Sequence, residues 1–185
     1  MGNTLHILFV KSDENSVVVQ LENTLASLKF KKYNNWKNFD YKDLLLIHKQ
    51  YNNWIAIESF QEMPKEIISM IHENKYSAIM VDVTDSYYNS NFMIYENGIL
   101  NGGFGAIQKY PTICKDKKNY PENSVIKKLT DFSKKHVIES WNKAKDQESF
   151  PIAAVRVLFN LFKLDLIHTN GLINKNILLI YKLEK

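Results

Sequence analysis

The sequence is poor in several residues that other kinds of protein rely on. Among 185 residues there is one cysteine, Cys114, so no internal disulfide can brace the chain. Stability has to come from a packed core, which fits a reducing compartment. Four prolines and six glycines exclude collagen-like and low-complexity architectures. Arginine occurs once, at Arg156, against 23 lysines. The residue that does most bidentate reading of phosphates and bases is nearly missing, which disfavours sequence-specific nucleic-acid recognition. The longest apolar stretch, 150–164, is broken by Arg156, Asn160 and Lys163 and falls short of the roughly 20 residues a membrane span needs. The first residues show no cationic segment leading into an apolar one, and His6 stands where a myristoylation signal wants Ser or Thr. A cytoplasmic protein without a membrane partner is expected.

Catalytic motifs are equally scarce. No phosphate loop of the G-x-x-x-x-G-K-[ST] type occurs, and no G-x-S-x-G elbow. The one glycine cluster, Gly102-Gly103-Phe104-Gly105, lacks the strand, turn and helix that a dinucleotide fingerprint requires, and reads as a bulged strand end or loop. No two of the five histidines stand at metal-ligand spacing, so neither a metal nor a cofactor is expected. Cys114 reads as a plain loop cysteine with no base supplied by the sequence.

What is present is core. Leu, Ile, Val and Phe number 57, about 31% of the chain, well above the range of disordered sequences. The run 5–10 reads as a buried strand. Val18, Leu21, Leu25 and Leu28 then recur at helical steps behind a Ser or Asn cap, and 31–42 reads as a polar surface loop. Residues 44–49 and 54–60 are strand-like runs joined by Tyr51-Asn52-Asn53, where Asn tolerates the positive φ of a hairpin. Pro64 introduces a helix through Ile67, Ile68 and Ile71 that Asn74 can close in the left-handed conformation, and 77–83 is the return strand. A further hairpin, 91–96 and 99–103, turns at Asn97-Gly98.

This order predicts an α+β fold, a ferredoxin-like βαββαβ core extended by a β-hairpin, followed by a C-terminal helical segment and a final strand at 177–183. In domain terms, 1–105 is an α/β sandwich, 106–123 a linker or loop, and 124–185 a helical segment whose terminal strand packs on the first part as one domain. The helix through Ile152, Val155, Leu158, Phe159 and Phe162 is apolar nearly all round, which marks it for burial in the fold or against a partner.

Four sets of residues are candidate sites. Asp82 and Asp85 flank the end of an apolar strand, where two carboxylates can hold a divalent cation or simply end the strand in a turn. His6 and His48 lie on expected strands and can approach across the sheet. The positive charge is local: 115–145 carries nine lysines against four acidic residues, while the rest has 15 basic and 16 acidic groups. Lys127, Lys128, Lys134 and Lys135 would form a basic ridge on one helix, either a solvated face or a phosphate-binding one. Trp36, Tyr87 and Tyr88 offer the large aromatic side chains that anchor protein interfaces.

The segments Asn53-Trp54-Ile55-Ala56-Ile57, Val81-Asp82-Val83-Thr84-Asp85-Ser86 and Tyr95-Glu96-Asn97-Gly98 resemble a pattern of small bacterial proteins reminiscent of immunity proteins, which neutralise a toxin by binding it. The resemblance spans residues 5–100 and implies a protein partner without catalytic residues. The expected function is therefore a protein-binding module, with another protein or a second copy of the chain as partner. The alternatives are non-specific nucleic-acid binding through 115–145 and a metal-dependent enzyme using Asp82 and Asp85.

Overall fold

Residues 5–10 form the centre of β1 (Thr4–Lys11), and alternate side chains leave it toward two buried faces. Burial on both sides is why 7–10 is continuously apolar rather than alternating. The computed structural model describes residues 4–11, 13–34, 40, 43–49, 53–84, 89–107, 110–114, 124–125, 127–128 and 177–183. After β1 come α1 (Glu14–Ala26), β2 (Phe30–Tyr33), β3 (Leu44–Lys49), β4 (Trp54–Ser59), α2 (Lys65–Glu73), β5 (Ser77–Thr84), β6 (Asn89–Glu96), β7 (Ile99–Ile107), β8 (Tyr110–Cys114) and β9 (Ile177–Leu183). The protein is a mixed α/β structure, mostly strand, with two described helices and one antiparallel sheet. The sheet runs β2-β9-β3-β4-β1-β5-β6-β7-β8.

Both helices cover the same face. Val17, Leu21 and Leu25 of α1 and Ile67, Met70 and Ile71 of α2 pack with Leu8, Val10, Leu45, Ile47, Ile55, Ile57 and Ala78 of the sheet. Each of the Val, Leu, Ile and Met side chains contributes about 1.5–3 kcal/mol by leaving water. On the opposite face Ile7, Phe9, Trp54, Ala56, Ile79, Val81, Phe92 and Ile94 are buried as well, although neither α1 nor α2 lies there.

The local signals act with small displacements. The cap of α1 is Asp13, not a Ser or Asn, and its carboxylate accepts the Ser16 N–H at 2.8 Å. Pro64 sits at the N-cap of α2 rather than in its first turn. Asn74 keeps a negative φ, and the left-handed residue is Lys75 at φ 54, one step later. There Tyr76 N–H reaches back to the Ile71 carbonyl at 3.0 Å and closes the helix end. Asn53 takes φ 61 between β3 and β4, and Asn97 (φ 52) and Gly98 (φ 76) form the tight turn between β6 and β7.

Three expectations change. The loop expected over 31–42 begins as the edge strand β2, whose exposed Lys31 and Lys32 made it look unstructured. The linker expected over 106–123 holds the end of β7 and all of β8, with Pro111 on an edge strand, where it removes no ladder bond the sheet needs. Cys114 accordingly lies on that strand, opposite Gly103, and not in a loop. The final strand β9 does join the sheet, inserting between β2 and β3. Of the expected C-terminal helical segment only its start is described, where Ser124 Oγ accepts the Lys127 N–H at 2.9 Å as a cap and Val125 is buried. The helix expected over 150–164 lies outside the described residues.

Candidate functional site

Two of the candidate side chains meet. His6 of β1 and Asp82 of β5 are direct cross-strand partners, so they project to the same face, the one that carries the helices. His6 Nδ1 lies 2.6 Å from Asp82 Oδ1, and the two side chains are 18% and 20% exposed. A carboxylate only accepts, so Nδ1–H is the donor, and when the ring is neutral its lone pair is on Nε2. Tilting or flipping the ring breaks that bond, and both residues stand on central strands, so the orientation is fixed from below.

The neighbours follow from register. Ser59 of β4 is the partner of His6 on the other side, and its Oγ accepts the Gln61 N–H at 3.0 Å. One row along the strands, Leu8, Met80 and Met93 are partners across β1, β5 and β6. A further row on, Val10, Ala78, Tyr95 and Leu100 line up across β1, β5, β6 and β7. Met80, Met93 and Tyr95 are half-buried, and Leu100 is 54% exposed. The β7 position opposite Met93 is Gly103 and the next on that face is Gly105, neither of which carries a side chain. The result is a strip on the helix side of β1, β5, β6 and β7, apolar from Leu100 to Met80 and ending in the His6–Asp82 pair. Its ends are four residues apart on β6, roughly 13 Å.

Electrostatics ties the ends together. Burial raises the Tyr95 phenol above its ordinary pKa, and the negative charge of Asp82 raises it further. The Leu100 end is held rigidly. Gly98 N–H donates to the Tyr76 carbonyl at 2.9 Å and His72 Nδ1–H donates to the Gly98 carbonyl at 3.1 Å, clamping the turn to the end of α2.

His48 does not join this group. Its partner on β4 is Ala56, three residues from the Ser59 that faces His6, and an odd spacing on a strand puts the two histidines on opposite faces. The expected approach across the sheet is therefore corrected. His48 Nε2 instead lies 3.1 Å from Glu58 Oε1, with both side chains essentially sealed from water at 2% and 0% exposed. Glu58 was missed, although a lone carboxylate inside the apolar run 54–60 is a signal in itself. Ser59, Met80, Met93 and Tyr95 were missed because only the pairing register brings them beside His6.

Asp85, Trp36, Tyr87, Tyr88, Lys134 and Lys135 lie outside the described residues. Lys127 and Lys128 are half-buried. Among the described residues no three His, Cys, Asp or Glu side chains gather as a metal site, and no helix is long and apolar enough to cross a membrane. Comparison with known proteins gave no match to any protein-family model, curated protein or solved structure.

Proposed function

We propose that the protein is a binding module for another protein, working in the cytoplasm, and that its docking surface is the strip from Leu100 to His6. The exposure of Leu100, on β7 just after a clamped turn, carries this reading. An apolar side chain that is 54% exposed, on a strand whose entry turn is clamped at Gly98 by two hydrogen bonds, costs little backbone freedom to cover, which is what makes an interface residue effective. Ile99, 59% exposed, adds apolar area at the rim on the other side of β7. An immunity protein, which works by occupying a toxin's surface, is one form such a module takes. The strand order β3-β4-β1-β5, with α1 and α2 on one face, supports reading the N-terminal half as a ferredoxin-like core that presents the strip on its extended side.

The other two readings have less behind them. Lys127 and Lys128 are half-buried, which reduces the basic face open to phosphates. Asp82 commits one carboxylate oxygen to His6, which competes with a cation. Affinity capture from native lysate tests the proposal. A stoichiometric protein should be retained by the wild type, lost with Leu100→Asp, and kept with Val19→Asp, a control at an equally exposed apolar position on α1. Capture of no stoichiometric protein together with no dimer by light scattering refutes it, and so does a partner indifferent to Leu100→Asp.

A further inference from the structure

We propose that the His6 end of the strip is a socket for a phenol, the ring of a partner's tyrosine lying against Met80 and Met93 with its hydroxyl donated to His6 Nε2. This rests on the docking reading above and names the chemistry that one part of the surface selects.

The polarity of the socket comes from Asp82. Because the carboxylate accepts the Nδ1–H hydrogen bond at 2.6 Å, the ring in its neutral form offers Nε2 as an acceptor, and among the described residues none donates to it. A ligand that satisfies it must bring a proton donor. The apolar part of the ligand is set by the next row, where Met80 and Met93 are cross-strand partners and both half-buried. Thioethers are adaptable and make favourable contacts with aromatic rings. The two rows are two residues apart, about 7 Å along the strand, which suits one ring with its hydroxyl.

The charge of Asp82 narrows the choice further. It disfavours a carboxylate or phosphate ligand, and it favours the protonated, donating form of a nearby phenol, as at Tyr95, where burial raises the phenol first and Asp82 adds to it. An ammonium group would be attracted to Asp82, but would have to shed its water against two methionine side chains, a cost the neutral phenol avoids. A tyrosine thus answers all three features: a donor for Nε2, a ring for the methionines, and no charge.

The test uses the full chain and 4-methylphenol as probe, followed by NMR at the His6 ring and the Met80 and Met93 methyl groups, with toluene as the counterpart lacking a hydroxyl. The phenol should bind five- to tenfold tighter than toluene, the ratio of one net hydrogen bond. His6→Phe should abolish that preference. Asp82→Asn should weaken it, because the amide lacks the charge that holds the ring proton on Nδ1 and can itself donate to Nδ1. Thermal melts of both variants establish that the fold is kept, and lysine amide as a second probe measures the cationic alternative. Equal binding of phenol and toluene, no binding of the phenol up to its solubility limit, a preference that survives in folded His6→Phe or is unchanged in folded Asp82→Asn, or tighter binding of the lysine amide each overturns the proposal. If the socket fails while Leu100→Asp still releases the partner, the docking reading stands alone; if Leu100→Asp has no effect, the docking reading falls whatever the phenol does.

Discussion

Replacing Gly98 by alanine is the sharpest test of how the β6–β7 turn is held. Gly98 has φ +76, and a Cβ built there would lie 2.6 Å from the His72 carbonyl oxygen and 2.9 Å from the His72 Cα. Two costs add. A residue with a Cβ pays about 1–2 kcal/mol for the left-handed conformation. The contact adds about 1–3 kcal/mol of overpacking, because the obstructing atoms belong to the backbone of the last turn of α2 and no side-chain rotation relieves them. With about 3 kcal/mol as the central value, Gly98→Ala should lower the melting temperature by about 6–12 °C for a chain of this size. Urea unfolding should show the same loss as a shifted midpoint at unchanged slope. Asn97→Gly is the matched control, since Asn97 at φ 52 is exposed and glycine accepts that conformation freely. A loss below about 1 kcal/mol for Gly98→Ala, within the range of an ordinary surface substitution, would refute the close packing of this turn on α2.

Other outcomes follow from the same reasoning. Glu58→Ala should destabilise by about 3–5 kcal/mol because it leaves His48 buried without its carboxylate, whereas the double change His48→Leu with Glu58→Leu should cost much less; equal losses in urea unfolding would show that the pair is not coupled. Asp13→Ala removes the cap of α1 and should cost about 1 kcal/mol, read as a shift in the urea midpoint, while Asp13→Asn should restore most of it. Tyr95 and Tyr181 are both held above the usual phenol range, chiefly by burial, with Asp82 adding at Tyr95 and Glu22 at Tyr181 against the opposing charge of Lys32. A folded-state value raised in this way contributes stability that is complete below the unfolded phenol's pKa of about 10 and is lost as pH rises through the folded value. Unfolding should therefore set in above about pH 10, and Tyr95→Phe should blunt it; ordinary phenol titration of both residues in the native protein would contradict the burial described.

The elements that were legible are those whose signal is local. Leu5 to Val10, the Ile67–Ile71 face and the Asn97-Gly98 turn each carry their period or their backbone demand within a few residues. β2 and β8 were read as loops because edge strands are made to look unlike strands: Lys31, Lys32 and Pro111 discourage further pairing, and the same residues remove the alternation a reader looks for. The site was half legible. His6 and Asp82 stood out as titratable groups on strands, but their contact depends on β1 pairing with β5 in one particular register, and a slip of one residue would send them to opposite faces. The separation of His48 from His6 has the same origin, since it is decided by β4, the strand between them. Edge or interior, near face or far, are properties of the assembled sheet and are not written at any one position.

β9 gives the sheet a late keystone. Its residues pair with Phe30–Tyr33 on one side and Leu44–His48 on the other, partners some 130–150 positions earlier in the chain. Until β9 docks, β2 has no strand partner among the described residues and β3 is a raw edge carrying Leu44, Leu45, Leu46 and Ile47. A chain built this way closes by its longest loop, the slowest kind of contact to form, and in the interval it holds a strand-wide slot flanked by apolar side chains. Its hazard is therefore kinetic: a folding intermediate whose open slot accepts any extended apolar segment, including the 177–183 segment of another copy.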